Sequence, residues 1–199
     1  MNKHSNFIAL PLLLIAFIFT IISCSNNQEN STSFRKLSIG SELDSLNGVK
    51  VYYNESFSNT SGRNVTSDGY NLGLKYQCVE FVKRYYFEHY NHKMPNAWGN
   101  AKDFFLKKLK DGQLNHDRGL IQCKNGSKFK PEVGNIVVFD GSMFNRYGHV
   151  AIISKVSENE IEVIQQNCGT SARVDYPLIH KNSGFTIKES RILGWLKMR

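Results

Sequence analysis

From Pro131 to the C-terminus the chain alternates short apolar runs with turn residues, and this limits what it can fold into. Residues 135–140 (NIVVFD) follow the turn signal Pro131-Glu132-Val133-Gly134. Residues 148–156 (GHVAIISKV), 161–167 (IEVIQQN) and 191–197 (RILGWLK) complete a set of four predicted strands. Upstream, residues 49–53 read as a short strand and 54–73, rich in Asn, Ser, Thr and Gly, as a loop. Residues 77–91 place apolar side chains at 79, 82 and 86 and at 81 and 85, which are helical spacings. Residues 100–110 form a second helical candidate, with Asn100 as N-cap and Gly112 just past the end. Helices first and consecutive strands second predict an α+β fold, its N-terminal helices packed on an antiparallel β-sheet.

The N-terminus has a different logic. Residues 7–22 are apolar throughout and follow Lys3, a run short for a membrane span but suited to a signal peptide. Ile21-Ile22-Ser23-Cys24 resembles a bacterial lipobox, so Cys24 is the expected lipidation site. The expected organisation is a lipoprotein signal over 1–23, a lipidated Cys24 with a polar tether over 24–37, and one domain over 38–199. This implies an exported protein held to a membrane of the cell envelope through lipid. The formal charge is +8, and the leader contributes only Lys3 to it. A basic surface suits anionic polymers, but no Lys/Arg run or basic-aromatic helix points to nucleic acid.

The chain has four cysteines. With Cys24 assigned to lipid and Cys78 to chemistry, Cys123 and Cys168 remain as a pair that either bridges or stays as two free thiols. Their spacing matches no zinc motif, and neither a metal nor another cofactor is expected. Trp98 and Trp195 read as core residues.

Cys78 falls at the start of the predicted helix, where free N–H groups and the helix dipole favour a thiolate. Ser157-Glu158-Asn159-Glu160 reads as a hairpin turn. Pairing Val156 with Glu160 across it sets His149 opposite Asn167. His149, Ala151 and Ile153 then share a face with Ile161, Val163, Gln165 and Asn167, and that face becomes polar at the end carrying His149, Gln165 and Asn167. With the cysteine's helix packed on that face, Cys78 as nucleophile and His149 as base would meet, and Gln165 or Asn167 would orient the imidazole. Gln77 and the Cys78 N–H are candidate oxyanion donors.

These segments carry a family resemblance. Tyr76-Gln77-Cys78-Val79-Glu80-Phe81-Val82, Pro131 through Phe139, and Gly148-His149-Val150-Ala151-Ile152-Ile153 resemble, in order, the cysteine, strand and histidine motifs of the CHAP family (cysteine, histidine-dependent amidohydrolases/peptidases). The Lys75–Phe81 and Ile192–Trp195 segments are similar to the amidase domain of glutathionylspermidine synthetase/amidase. The resemblance implies a papain-like fold and cysteine-dependent amide hydrolysis. Other family members cut peptidoglycan. Where the family commonly has Glu in an E-x-N stretch, this chain has Gln165, a neutral acceptor that cannot stabilise an imidazolium by charge. The expected function is therefore a peptidoglycan amidase or endopeptidase. The alternatives are a glutathionylspermidine-type small-amide amidase and a catalytically weakened binding module.

Overall fold

A computed structural model describes residues 37–199. The expected signal, the lipidation site Cys24 and nearly all of the tether lie outside the described residues. A first hairpin joins β1 (Glu42–Leu46) to β2 (Val49–Tyr52), and a second joins β3 (Arg63–Val65) to β4 (Asn71–Leu74). Helix α1 (Cys78–Tyr90) follows. Then come β5 (Gln113–Asn115), β6 (Leu120–Lys124), β7 (Ile136–Phe139), β8 (His149–Val156), β9 (Glu160–Ile164), β10 (Arg173–Lys181), β11 (Gly184–Ile187) and β12 (Ile192–Lys197). These eight strands form one antiparallel sheet in the order β11-β10-β9-β8-β7-β12-β6-β5.

Among the described residues α1 is the only α-helix, so the domain is richer in β-structure than its sequence suggests. The predicted helix over 100–110 shrinks to a 3-10 turn at Ala101–Phe104, although Asn100 and Asp103 do form a capping box. Two buried side chains take the backbone groups that a longer helix would use. Asn115 Nδ2 donates to the Phe104 carbonyl at 2.9 Å. Gln122 accepts from the Leu106 N–H at 2.8 Å and donates to its carbonyl at 3.0 Å. The expected long loop over 54–73 also holds part of the β3–β4 hairpin.

The strands of the sheet centre are buried on both sides. Val138, Val150, Ile152, Ile164 and Leu196 pack on one face against Phe81, Val82, Tyr85 and Tyr86 of α1. Val137, Ala151, Ile153, Ile161, Val163 and Trp195 fill the other face, together with Leu178 and Ile187 from β10 and β11. Among the described residues no helix covers this second face. The sheet instead bends round on itself: Phe185 of β11 bridges to the segment just past β6, its N–H donating to the Ser127 carbonyl at 2.7 Å and its carbonyl accepting from the Gly126 N–H at 2.8 Å. Trp195 is core as expected, whereas Trp98 is 63% exposed with the Arg63 guanidinium 5.0 Å from its ring centre.

A buried polar group ties α1 to its surroundings. The Glu80 carboxylate accepts from Arg84 Nε at 2.7 Å, Asn64 Nδ2 at 2.7 Å and Gln166 Nε2 at 2.9 Å. Arg84 also donates to the Lys50 carbonyl in β2 at 2.9 Å, and Gln166 accepts from the Tyr52 N–H at 2.8 Å. Glu80 is only 1% exposed, so its removal strands the Arg84 charge. Replacing Glu80→Ala is expected to cost about 3–5 kcal/mol of stability, read as a lower midpoint in urea unfolding.

Candidate active site

Cys78 is the first residue of α1. Gln77 precedes it as N-cap with extended backbone, φ −82° and ψ 160°. Tight packing just upstream fixes this start: Gly73 has φ +131°, and a Cβ there would lie 3.1 Å from the Glu80 Cα. The thiol is buried, and burial pushes its pKa up. Hydrogen bonds from the backbone of Val150, Val79 and Cys78 itself pull the other way, as a helix N-terminus does. Val150 directly follows His149, so the sulfur lies against the first residues of β8.

His149 opens β8 after a tight turn at Gly148, φ +76°. The β8–β9 ladder pairs Ile152 with Ile164 and Ile153 with Val163, as the hairpin reading required. Nearer the turn a bulge between Ile153 and Lys155 moves the register by one, pairing Val156 with Ile161 rather than with Glu160. Just past the ladder, His149 Nε2 lies 3.0 Å from Gln165 Oε1. Gln165 Nε2 donates to the Ser171 carbonyl at 3.3 Å, which fixes the amide so that its oxygen faces the ring. The ring nitrogen Nε2 must then carry the proton, leaving Nδ1 as the basic nitrogen.

Burial lowers the His149 pKa to about 4; the Gln165 bond opposes this and Arg191 adds to it. Cys168 Sγ lies 3.6 Å from His149 Nε2, and burial pushes its thiol up to about 12. At neutral pH the site therefore rests as uncharged thiols beside an uncharged imidazole. A thiol at a helix N-terminus, an imidazole and an acceptor that orients it are all present at this end of β8, and charge separates only if a proton moves from a thiol to the imidazole.

Two expectations need correction, and one open alternative is decided. First, α1 packs on the Val150–Ile152–Ile164 face of the sheet, not on the face that His149 shares with Ala151 and Ile153. Cys78 meets β8 at the end of the sheet rather than over it. Second, Asn167 does not orient His149. The chain leaves the sheet after Ile164, and Asn167, at φ +68°, donates instead to Gln77 Oε1 at 2.6 Å. Of the two alternatives left open for Cys123 and Cys168, the structure shows two free thiols, and Cys78 is free as well. Cys123 lies on β6, three strand spacings or roughly 14 Å of sheet from β8, while Cys168 touches His149 on β8.

Gln77, the other candidate oxyanion donor, has its amide occupied: Nε2 donates to the carbonyls of Phe57 at 3.1 Å and Asn59 at 2.7 Å. Sequence reasoning missed Glu80 and Gln166, whose network holds the Gln77 carbonyl through Gln166 Nε2 at 3.0 Å. An acid and an arginine four apart in an aromatic helix was the available signal for Glu80. The part played by the Phe57 and Asn59 carbonyls has no sequence signature, because any residue supplies one. Among the described residues no group of three or more His, Cys, Asp or Glu is arranged to hold a metal ion.

The chain is similar in sequence to several known proteins. The model of the CHAP domain matches residues 67–167. Trypanothione synthetase of Crithidia fasciculata is 30% identical over 119 residues, covering 60% of this chain and 18% of that protein. Bifunctional glutathionylspermidine synthetase/amidase of Escherichia coli is 29% identical over 146 residues, covering 67% of this chain and 23% of that protein. Endolysin PlyTW of Staphylococcus phage Twort is 30% identical over 98 residues, covering 46% and 19%. The chain thus spans less than a quarter of the length of these relatives.

The His149 environment predicts a pH response. A folded pKa of about 4 lies below the ordinary 6.5, so between those values the unfolded chain binds the extra proton. Stability should be insensitive to this group above pH 6.5 and fall as pH drops from 6.5 towards 4, a slope that His149→Gln removes. In a ring-proton NMR titration, Gln165→Glu should move the His149 midpoint upward by placing a negative charge on the Nε2–H.

Proposed function

The chain belongs to the CHAP domain family, and from that premise we propose that it is a cysteine-dependent amide hydrolase with Cys78 as nucleophile and His149 as acid and base. The observation that carries this reading is the fixed His149 tautomer together with a Cys78 thiol set at a helix N-terminus and held by the backbone of Val150, the residue after His149. Cys78 passes its proton to the imidazole, and the thiolate attacks the amide carbonyl carbon. His149 returns the proton to the leaving amine as the C–N bond breaks, which leaves an acyl-thioester. Water, deprotonated by His149, then releases the acid and restores the thiol. The Cys78 N–H is a backbone donor for the oxyanion. Gln165 holds the ring in place but adds no charge, so the ion pair is less stabilised than with a carboxylate.

The proposed substrate is peptidoglycan, cut at an amide of the stem or cross-bridge or at the muramoyl–alanine bond. Three things support it: the likeness to a phage endolysin, the apolar leader ending at Cys24, which reads as an export and lipidation signal, and the basic charge, which suits an anionic wall. On this reading the protein is anchored to the cell envelope through lipid on Cys24. A second reading is favoured by the longer match to glutathionylspermidine synthetase/amidase, a small-amide amidase. Mass spectrometry of purified peptidoglycan incubated with the protein should show new fragments. Cys78→Ala should suppress them on the order of 10³-fold or more. Release of spermidine from glutathionylspermidine with an intact wall would favour the second reading. Inactivity on both would leave a binding module.

A further inference from the structure

The segment from Asn54 to Asn59 is fastened to the site in an unusual way. Gln77 Nε2 and Asn167 Nδ2 come from different parts of the chain, yet both donate to the Phe57 carbonyl oxygen, at 3.1 and 3.0 Å. Asn167 is aligned for this by a second bond, to Gln77 Oε1. Two preorganised N–H donors converging on one carbonyl oxygen, one of them from the residue beside a nucleophile, is the geometry of a site that binds a reacting carbonyl. The strap is held by polar bonds rather than by packing, since the Phe57 side chain is 68% exposed. Buried Asn54 is its main fastener, donating to the carbonyls of Ser56 and Asn59 at 3.1 Å each and to Asn167 Oδ1 at 2.9 Å. Its own Oδ1 is buried without a partner. Asn59 Nδ2 returns a bond to the Asn54 carbonyl at 3.1 Å.

We propose that Gln77 and Asn167 together form the carbonyl-binding site of the enzyme, that at rest the Phe57 peptide carbonyl fills it, and that an amide substrate acts only after displacing this strap. Asn167 is then a catalytic residue, though not the one that orients histidine. The occupant being a backbone carbonyl, the substrate class it mimics is a peptide-like secondary amide. The inference rests on Cys78 being the nucleophile, but not on peptidoglycan being the substrate.

Two probes that need no natural substrate test it in the full chain: iodoacetamide, which reports access to each thiol, and acetyl-alaninal, whose adduct with Cys78 puts an oxygen in the carbonyl site. Site-resolved mass spectrometry should show Cys78 of Asn54→Ala alkylated about tenfold faster than in the native protein. Asn59→Ala, a milder change, should move the rate the same way by less. Buried Cys123 should stay unlabelled in every variant, which excludes general unfolding. Asn167→Ala should also label faster, yet capture the aldehyde about tenfold less well, because the site is open but has lost a donor. Cys78 labelling unchanged in both Asn54→Ala and Asn59→Ala would overturn the strap. Aldehyde capture by Asn167→Ala equal to or better than native would reduce Asn167 to a fastener. Failure of the wall reading looks different: native protein leaves peptidoglycan intact while these ratios hold.

Discussion

The start of the helix that carries the thiol is tied to its surroundings through the Glu80 carboxylate. It sits in the first turn of α1 and takes bonds from the helix itself, from β3 through Asn64 and from the segment after β9 through Gln166. Gln166 then reaches the Gln77 carbonyl and the Tyr52 N–H. One ionised group therefore sets the position of the helix start relative to the strand end that carries His149. Burying such a charge is costly without several donors, and here all of its donors lie on elements that border the site. The arrangement adds little net stability over an apolar core. Its contribution is alignment: the thiol can approach β8 only if all these elements are in register.

Two electrostatic pressures act on Cys78 and His149 in opposite senses. The helix N-terminus favours the thiolate, while burial disfavours both thiolate and imidazolium. With a neutral Gln165 in place of a carboxylate, burial prevails and the resting site is uncharged. Admitting water or substrate relieves burial on both groups at once. In this way the strap over the carbonyl site and the protonation state of the pair are linked through solvent access.

The parts of this arrangement that obey short-range rules could be read from the residues. Periodicity located α1, and alternation with a turn located β8 and β9. The same alternation set Gln165 beside His149, because the strand ladder runs in the expected register at that end. What could not be read depends on long-range competition for backbone groups. Gln122 and Asn115 cut short the helix expected after Asn100. The left-handed turn at Asn167 swings its amide away from His149 to Gln77. The face on which α1 packs was misjudged because both faces of β8 are apolar, so alternation alone did not distinguish them. Trp98 read as core, but it lies at the surface under Arg63.

The bend that brings Phe185 of β11 to Ser127 past β6 matters for the protein's neighbours as well as for its core. An open eight-stranded sheet would present two rows of unpaired N–H and carbonyl groups to any other strand nearby. Here one margin is partly spent on the molecule's own chain at Ser127, and the other ends in β5, only three residues long. Copies held side by side at a crowded surface would thus find little edge on which to stack into a shared, growing sheet.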